Sequence, residues 1–208
     1  MKNMIRRLAM LAMLLAAGSV QAQMTAHQTV EDVMQRLFSD LEENRAAYRE
    51  NPDLFYHAID GYIGESVDIE GIARSVMTVR YSRRASAEQI RRFESNFKDS
   101  LLRFYGDALL EFNNRDATIL PPLVPEGAER AEVRMEVRDA NGTIYPVSYT
   151  MVWKNGRWLL RNVIIEGINV GKLFRDLFAE AMQANRNNLD LVIDTWADTV
   201  ARNQQAEK

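Results

Sequence analysis

The stretch that decides the fold runs from Tyr145 to Phe178, YPVSYTMVWKNGRWLLRNVIIEGINVGKLFRDLF. It predicts two long strands joined at Asn155-Gly156, then a glycine-containing connection and an amphipathic helix. One face of the first strand is continuously large and apolar, with the alternate residues Tyr145, Val147, Tyr149, Met151 and Trp153. A half-buried sheet needs only one moderately apolar face, so we interpret the surplus as the lining of a cavity for an apolar ligand.

The neighbouring segments extend these two strands into an antiparallel meander. Ala131 to Arg138 alternates apolar and charged residues, and Asn141-Gly142 is the pattern of a type I′ hairpin turn. Thr118 to Leu120 predicts a further short strand. In the strand after Asn155-Gly156, simple alternation places Trp158 and Leu160 on one face and Leu159, Val163 and Ile165 on the other.

Helices are predicted before and after the strands rather than between them, which is typical of an α+β fold. Their expected starts are Thr29, Asn51-Pro52, Asp68 and Ser86 before the sheet, and Leu173 and Asn187 or Asn188 after it. We therefore predict a curved antiparallel sheet wrapped by N- and C-terminal helices around an apolar pocket.

The longest predicted helix runs from the capping box Ser86-Ala87-Glu88-Gln89 to about Phe112. Its apolar face is broad because two rows adjoin: Ile90, Phe93, Phe97, Leu101, Phe104 and Ala108 in one, and Leu102, Tyr105, Leu109 and Phe112 in the other. Such a face is what a helix buried between a sheet and other helices shows. Burial is the usual reason for such a face; part of the row could in addition contact an apolar ligand, and both can hold along one helix.

The first residues are expected to be a secretory signal peptide. Basic residues precede an apolar run of ten, Leu8 to Ala17, and Val20-Gln21-Ala22 is a small-residue cleavage site. The apolar run is too short for a membrane anchor, since a spanning helix needs about 20 residues. We expect residues 1–22 to be removed and residues 23–208 to form a single domain of a soluble, exported protein.

Charge and cysteine content narrow the possible functions. The signal peptide carries three basic residues, so its removal leaves 23 basic residues against 29 acidic ones, a net charge of −6. An acidic chain is a poor candidate for nucleic-acid binding. The chain has no cysteine, so it gains no stability from disulfides and needs a substantial core.

No pattern in the sequence indicates catalysis or a metal site. The two histidines, His27 and His57, have no partner pattern, and the sequence contains no serine-hydrolase, zinc-protease or phosphate-loop motif. We therefore expect a protein that is not an enzyme and that has no metal ion and no cofactor.

Two segments and the final helix carry a resemblance to a known family. Val76–Phe112 contains the S-A-E-Q helix opening with F-x-x-x-F and a following Tyr105, and Val147–Phe178 contains the N-G-x-W hairpin and the E-G-I-N-V turn before F-R-D-L-F. With the Leu189–Trp196 helix, these motifs make the chain similar to the MlaC-type periplasmic phospholipid-binding proteins. This toluene-tolerance family supplies auxiliary components of an ABC transport system.

The resemblance implies a periplasmic phospholipid carrier with acyl chains in the pocket and headgroups outside it. The carrier would shuttle lipid between an outer-membrane lipoprotein complex and an inner-membrane ABC transporter with an MCE-domain subunit, maintaining the lipid asymmetry of the outer membrane. The bound phospholipid would be cargo, and we expect a monomer. Five arginines cluster around the start of the long helix, Arg80, Arg83, Arg84, Arg91 and Arg92. Such a run of charge is usually a solvated face, and the alternative is contact with an anionic lipid surface, a headgroup phosphate or an acidic partner protein.

We predict that the acyl-chain pocket is lined by three groups of residues. They are Phe97, Leu101, Phe104, Tyr105 and Leu109 of the long helix, Val147, Tyr149 and Met151 of the sheet, and Val163, Ile165, Phe174 and Phe178 around the connection.

Two other functions remain open from sequence alone. A periplasmic chaperone or adaptor would use the apolar surface to bind exposed segments of other proteins. A small cavity-based enzyme would need a polar constellation inside the cavity, such as a buried carboxylate–tyrosine pair.

Overall fold

The computed structural model describes residues 24–111, 117–123, 125, 127, 129–139 and 141–206, and it describes no side chains for 104–111 and 204–206. The predicted signal peptide therefore lies outside the described residues. The helices are α1 Ala26–Glu50, α2 Pro52–Ser66, α3 Ile69–Val76, α4 Thr78–Ser82, α5 Ala87–Glu111, α6 Val170–Ala184, α7 Leu189–Asp194 and α8 Trp196–Ala206. The strands are β1 Ala117–Ile119, β2 Arg130–Arg138, β3 Ile144–Lys154, β4 Arg157–Ile165 and β5 Ile168–Asn169.

The strands form one antiparallel sheet in the order β1-β2-β3-β4-β5. The predicted α+β meander is confirmed, and the short strands β1 and β5 form its edges. Asn155 and Gly156 both have positive φ, 54° and 79°, as a type I′ turn between β3 and β4 requires.

The β2–β3 connection differs from the type I′ turn predicted at Asn141-Gly142. Of these two residues, Gly142 has a positive φ, 86°, and Asn141 does not, and the Asp139 carboxylate accepts the backbone N–H groups of Asn141 at 2.9 Å and Thr143 at 2.8 Å. Aspartate commonly organises a turn through such bonds. Here they support a longer loop, so the predicted two-residue turn is wrong.

A β-bulge in β4 changes which residues share a face of the sheet. Met151 pairs with Leu160 but Thr150 pairs with Asn162, so Arg161 is the extra residue of β4. Beyond a bulge the alternation of the bulged strand is reversed. Leu160 and Val163 therefore lie on the same face, and the simple alternation predicted for this strand is wrong. We call this the inner face; it carries Val147, Tyr149, Met151 and Trp153 of β3 and Trp158, Leu160, Val163 and Ile165 of β4.

Local capping explains where most helices begin. The Asn51 side chain with Pro52, the Asp68 carboxylate, the Ser86–Gln89 capping box and the Asn188 side chain occupy the expected helix starts. The first helix begins one turn earlier than predicted, because Thr25 and Gln28 form a capping box with each other.

Apolar side chains are buried in three places. An all-helical cluster of α3 and α5–α8 surrounds the fully buried Trp196, and its rings include Phe93, Phe97, Phe174 and Phe178. A second cluster packs α1 on the inner face of the sheet, and a third joins α1 to α2. Within the part of the chain that the structure describes, no helix has the length and apolar character to cross a membrane.

Candidate functional site

One apolar cavity lies between α1 and the inner face of the sheet; we call it cavity A. Its volume is about 130 Å³. The lining residues are Thr29, Val30, Val33 and Met34 of α1, Ser66 of α2, and Tyr149, Met151 and Leu160 of the sheet.

Two hydroxyl groups around cavity A, those of Thr29 and Ser66, are engaged elsewhere, and most of the lining side chains are apolar. Thr29 Oγ donates to the carbonyl of Thr25 at 2.9 Å, and Ser66 Oγ donates to that of Tyr62 at 2.5 Å. Tyr149 is sufficiently enclosed that burial raises the pKa of its phenol to about 12. A neutral, apolar environment of this kind suits hydrocarbon better than a charged ligand.

A second cavity, cavity B, lies between β4 and the helices α3, α5 and α6. Its volume is about 180 Å³. Apolar side chains dominate the lining, namely Ile63, Val67, Ile69, Ile72, Phe97, Leu101, Leu160, Val163, Val170 and Phe174, with Lys98, Arg161, Asn162 and Gly171 also contributing.

Leu160 lines both cavities, so they meet at this side chain. The bulge at Arg161 explains this position, because it turns Leu160 and Val163 toward the same side of the sheet. An apolar cavity of about 150 Å³ holds one benzene-sized molecule. An acyl chain is longer than that, so it would extend beyond either cavity alone.

A buried carboxylate next to cavity B is used for structure. The Asp68 side chain is only 3% exposed, and it accepts hydrogen bonds from Lys154 Nζ at 3.0 Å, from the Gly71 N–H at 3.1 Å and from Arg161. Burial alone would raise the pKa of Asp68, but these three donors outweigh it and the pKa lies below its ordinary value. The ionised carboxylate thus fastens the start of α3 to β3 and β4.

A hydrogen-bonded carboxylate–tyrosine pair, the feature that would favour an enzyme, occurs away from the two cavities. Tyr48 donates to Asp40 at 2.8 Å, and burial raises the pKa of Tyr48 to about 12. Both residues belong to α1, Tyr48 packs against α2, and neither residue lines cavity A or cavity B. Among the described residues, no group of acidic or histidine side chains is placed to hold a metal ion.

The structure brings half of the predicted pocket residues to the cavities. Tyr149 and Met151 line cavity A, and Phe97, Leu101, Val163 and Phe174 line cavity B. The side chains of Phe104, Tyr105 and Leu109 lie outside the described residues.

The other three predicted residues lie elsewhere. Phe178 is fully buried against Trp196 in the helical cluster, Val147 is buried on the inner face, and Ile165 is 41% exposed near the end of β4. Their contact with a ligand stays a prediction.

Sequence reasoning missed the α1 side of cavity A and the role of Leu160. Helical spacing predicts that Val30, Val33 and Met34 share one buried face, but it does not distinguish a face that packs tightly from one that borders a cavity. Simple alternation along the strand assigns Leu160 to the face opposite Val163, because it does not account for the bulge at Arg161.

Known proteins resemble this chain in sequence and in fold. Residues 31–198 match the sequence model of the family described as MlaC protein. This chain belongs to the MlaC family. It is 50% identical over 185 residues to the toluene tolerance protein ttg2D of Pseudomonas putida, covering 89% of this chain and 86% of that protein.

More distant relatives agree with this assignment. The intermembrane phospholipid transport system binding protein MlaC of Haemophilus influenzae is 22% identical over 153 residues, covering 72% of this chain and 71% of that protein. A solved structure of a phospholipid-binding protein from Ralstonia solanacearum, in complex with a phospholipid, superposes with a TM-score of 0.76. It covers 86% of this chain and 98% of that chain at 19% identity, a level that supports the shared fold alone.

Proposed function

We propose that this protein is a periplasmic phospholipid carrier that holds acyl chains in cavities A and B. The observation that carries the proposal is the meeting of two apolar cavities at Leu160 within an MlaC-family fold. The relatives named for phospholipid binding and intermembrane phospholipid transport support the choice of ligand.

The energetics of hydrocarbon transfer explain why such a carrier works. Each methylene exposed to water costs about 0.8 kcal/mol, so a free phospholipid crosses an aqueous space very slowly. Inside cavities A and B an acyl chain exchanges one apolar environment for another. The carrier therefore lowers the barrier between two membranes without binding lipid more tightly than a membrane does.

The proposal includes a place in a larger system. The protein would receive and deliver lipid as the periplasmic component of an ABC transport system, between an outer-membrane lipoprotein complex and an inner-membrane transporter with an MCE-domain subunit. Phospholipid is its cargo, and neither a cofactor nor an enzymatic step is part of this mechanism. The membership of the MlaC family and the relative named for intermembrane phospholipid transport support this assignment.

The test compares two variants of adjacent β3 residues by native mass spectrometry without detergent, followed by solvent extraction. The unsubstituted protein should carry a mass excess equal to phospholipid. Tyr149→Asp places a carboxylate in cavity A and should reduce bound lipid, whereas Thr150→Asp places the same charge on the opposite face of β3 and should leave it unchanged.

Two outcomes would contradict the proposal. A lipid-free mass that persists after incubation with phospholipid vesicles would remove the carrier function and favour the chaperone alternative. Equal lipid content in folded Tyr149→Asp and in the unsubstituted protein would instead remove cavity A from the site.

A further inference from the structure

A row of apolar side chains crosses the whole sheet on its inner face. Cross-strand partners lie on the same face of a sheet. Ile119 pairs with Met135, Met135 with Val147, Val147 with Ile165, and Ile165 with Ile168, so the row crosses the sheet from β1 to β5.

Burial decreases along this row toward the β5 edge. Met135 and Val147 are buried, Ile165 is 41% exposed and Ile168 is 61% exposed. Scattered exposed aliphatic residues need no explanation, but these two are cross-strand partners. We call Ile165 and Ile168 the apolar edge.

The apolar edge is connected to cavity B by the alternation of β4. Val163 lines cavity B, and Ile165, two residues later, lies on the same face of the sheet. The tight turn at Glu166 and Gly167, with φ of 50° and 81°, holds Ile168 alongside Ile165. An apolar path therefore runs along one face of β4, from Leu160 through Val163 to the exposed Ile165.

We propose that the apolar edge is the portal across which an acyl chain enters and leaves cavity B. This inference rests on the proposed carrier function. The occupant is an acyl chain rather than a protein, because a stable protein interface buries roughly 800 Å² on each partner and two isoleucines present far less. A single hydrocarbon chain in transit is matched to such a narrow strip.

The portal predicts an effect on the rate of transfer rather than on the amount of lipid bound. Ile168→Asn interrupts the path outside cavity B with an uncharged polar group, and Ile168→Leu keeps the path apolar. Leu54→Asn is the matched control, because Leu54 is 51% exposed on α2 and borders neither cavity A nor cavity B.

The experiment loads each purified protein with a fluorescent phosphatidylcholine and measures transfer to protein-free phosphatidylcholine vesicles. Ile168→Asn should slow transfer roughly fourfold, the factor that corresponds to about 0.8 kcal/mol for one methylene left in contact with water. Lipid content at equilibrium should stay the same, and Ile168→Leu and Leu54→Asn should transfer at the unsubstituted rate.

Three other outcomes would contradict either the portal or the proposed function. Equal transfer rates for Ile168→Asn and the unsubstituted protein would overturn the portal. Equal slowing by Leu54→Asn would overturn it as a general surface effect. Failure of the unsubstituted protein to load lipid at all would instead count against the proposed function.

Discussion

Leu160 lies directly opposite Met151 across the β3–β4 ladder, at the position where the register shifts, and both side chains line cavity A. Leu160 also lines cavity B. This one side chain therefore lies at the junction of the two cavities.

Leu160→Trp should obstruct the junction and lower the bound phospholipid, while Leu160→Ala should retain lipid. Because Leu160 is only partly buried beside existing cavities, Leu160→Ala should cost about 2 kcal/mol of unfolding free energy, the low end for such truncations. Native mass spectrometry measures lipid content, and urea unfolding measures stability.

The adjacent Leu159 is the control. It is buried on the other face of the sheet, so Leu159→Ala should destabilise the protein without changing its lipid content. Unchanged loading of folded Leu160→Trp would show that the junction is not on the path.

Two phenylalanines predicted for the pocket should behave differently. Phe97 lines cavity B, whereas Phe178 is enclosed by the rings of Tyr81, Phe93 and Trp196. Replacement of either by leucine should cost about 1–2 kcal/mol, because a smaller side chain is left in a packed core. Only Phe97→Leu should alter lipid content, measured by extraction from the purified protein. Equal effects on lipid would place Phe178 in the site as well.

Stability should fall in acid through the protonation of Asp68. The pKa of Asp68 in the folded protein lies below its ordinary value of 3.8. Its contribution is therefore fully present above 3.8 and is lost as the pH falls through the lowered folded-state pKa. Asp68→Asn should lower the unfolding free energy by about 3 kcal/mol at neutral pH, because Arg161 and Lys154 lose their buried partner. In this variant the urea concentration at the unfolding midpoint should also decrease less as the pH is lowered.

Glu70→Gln is the matched control for the Asp68 experiment. Glu70 accepts from the same Lys154, at 3.2 Å, and from Arg74 at 2.9 Å, but its side chain is largely exposed. Exposed ion pairs contribute less than about 1 kcal/mol. A loss as large as that of Asp68→Asn would mean that burial is not what makes the Asp68 network important.

Two glycines should respond to alanine with opposite signs. A Cβ on Gly71 would overlap the Asp68 carboxylate and the Arg161 guanidinium, whereas a Cβ on Gly61 meets nothing within 4 Å. Gly61→Ala should raise the unfolding free energy by about 0.5–1 kcal/mol through reduced backbone freedom in α2. Gly71→Ala should lower it, because the Asp68 network must shift. Thermal unfolding measures both, and stabilisation by Gly71→Ala would show that the network adapts.

Features that depend on a few neighbouring residues were predictable from the sequence. The Asn51-Pro52 and Asp68 helix starts, the Ser86 capping box and the Asn155-Gly156 turn each follow from short-range hydrogen bonds and backbone preferences. Together they were sufficient to predict the α+β class and the antiparallel meander.

Features that depend on how two elements meet were not predictable in the same way. The bulge at Arg161 is a property of the β3–β4 pair, and it moved Leu160 and Val163 to one face. The α1 wall of cavity A was also missed, because a helical stripe looks the same whether it packs tightly or leaves a gap. Tertiary spacing, rather than residue type, separates a pocket from a core.

The placement of the indole rings gives each cavity its own optical signature. Trp153 and Trp158 form an edge-to-face pair with centroids 5.5 Å apart in the cluster that adjoins cavity A, and Trp196 contacts Phe97 and Phe174, which line cavity B. Closely paired indoles couple their strong transitions and produce a far-ultraviolet circular dichroism doublet, to which Trp196, packed against phenylalanine rings, does not contribute although it contributes to the emission. Dichroism and fluorescence recorded during titration with phospholipid would thus report, without any attached dye, which cavity fills first.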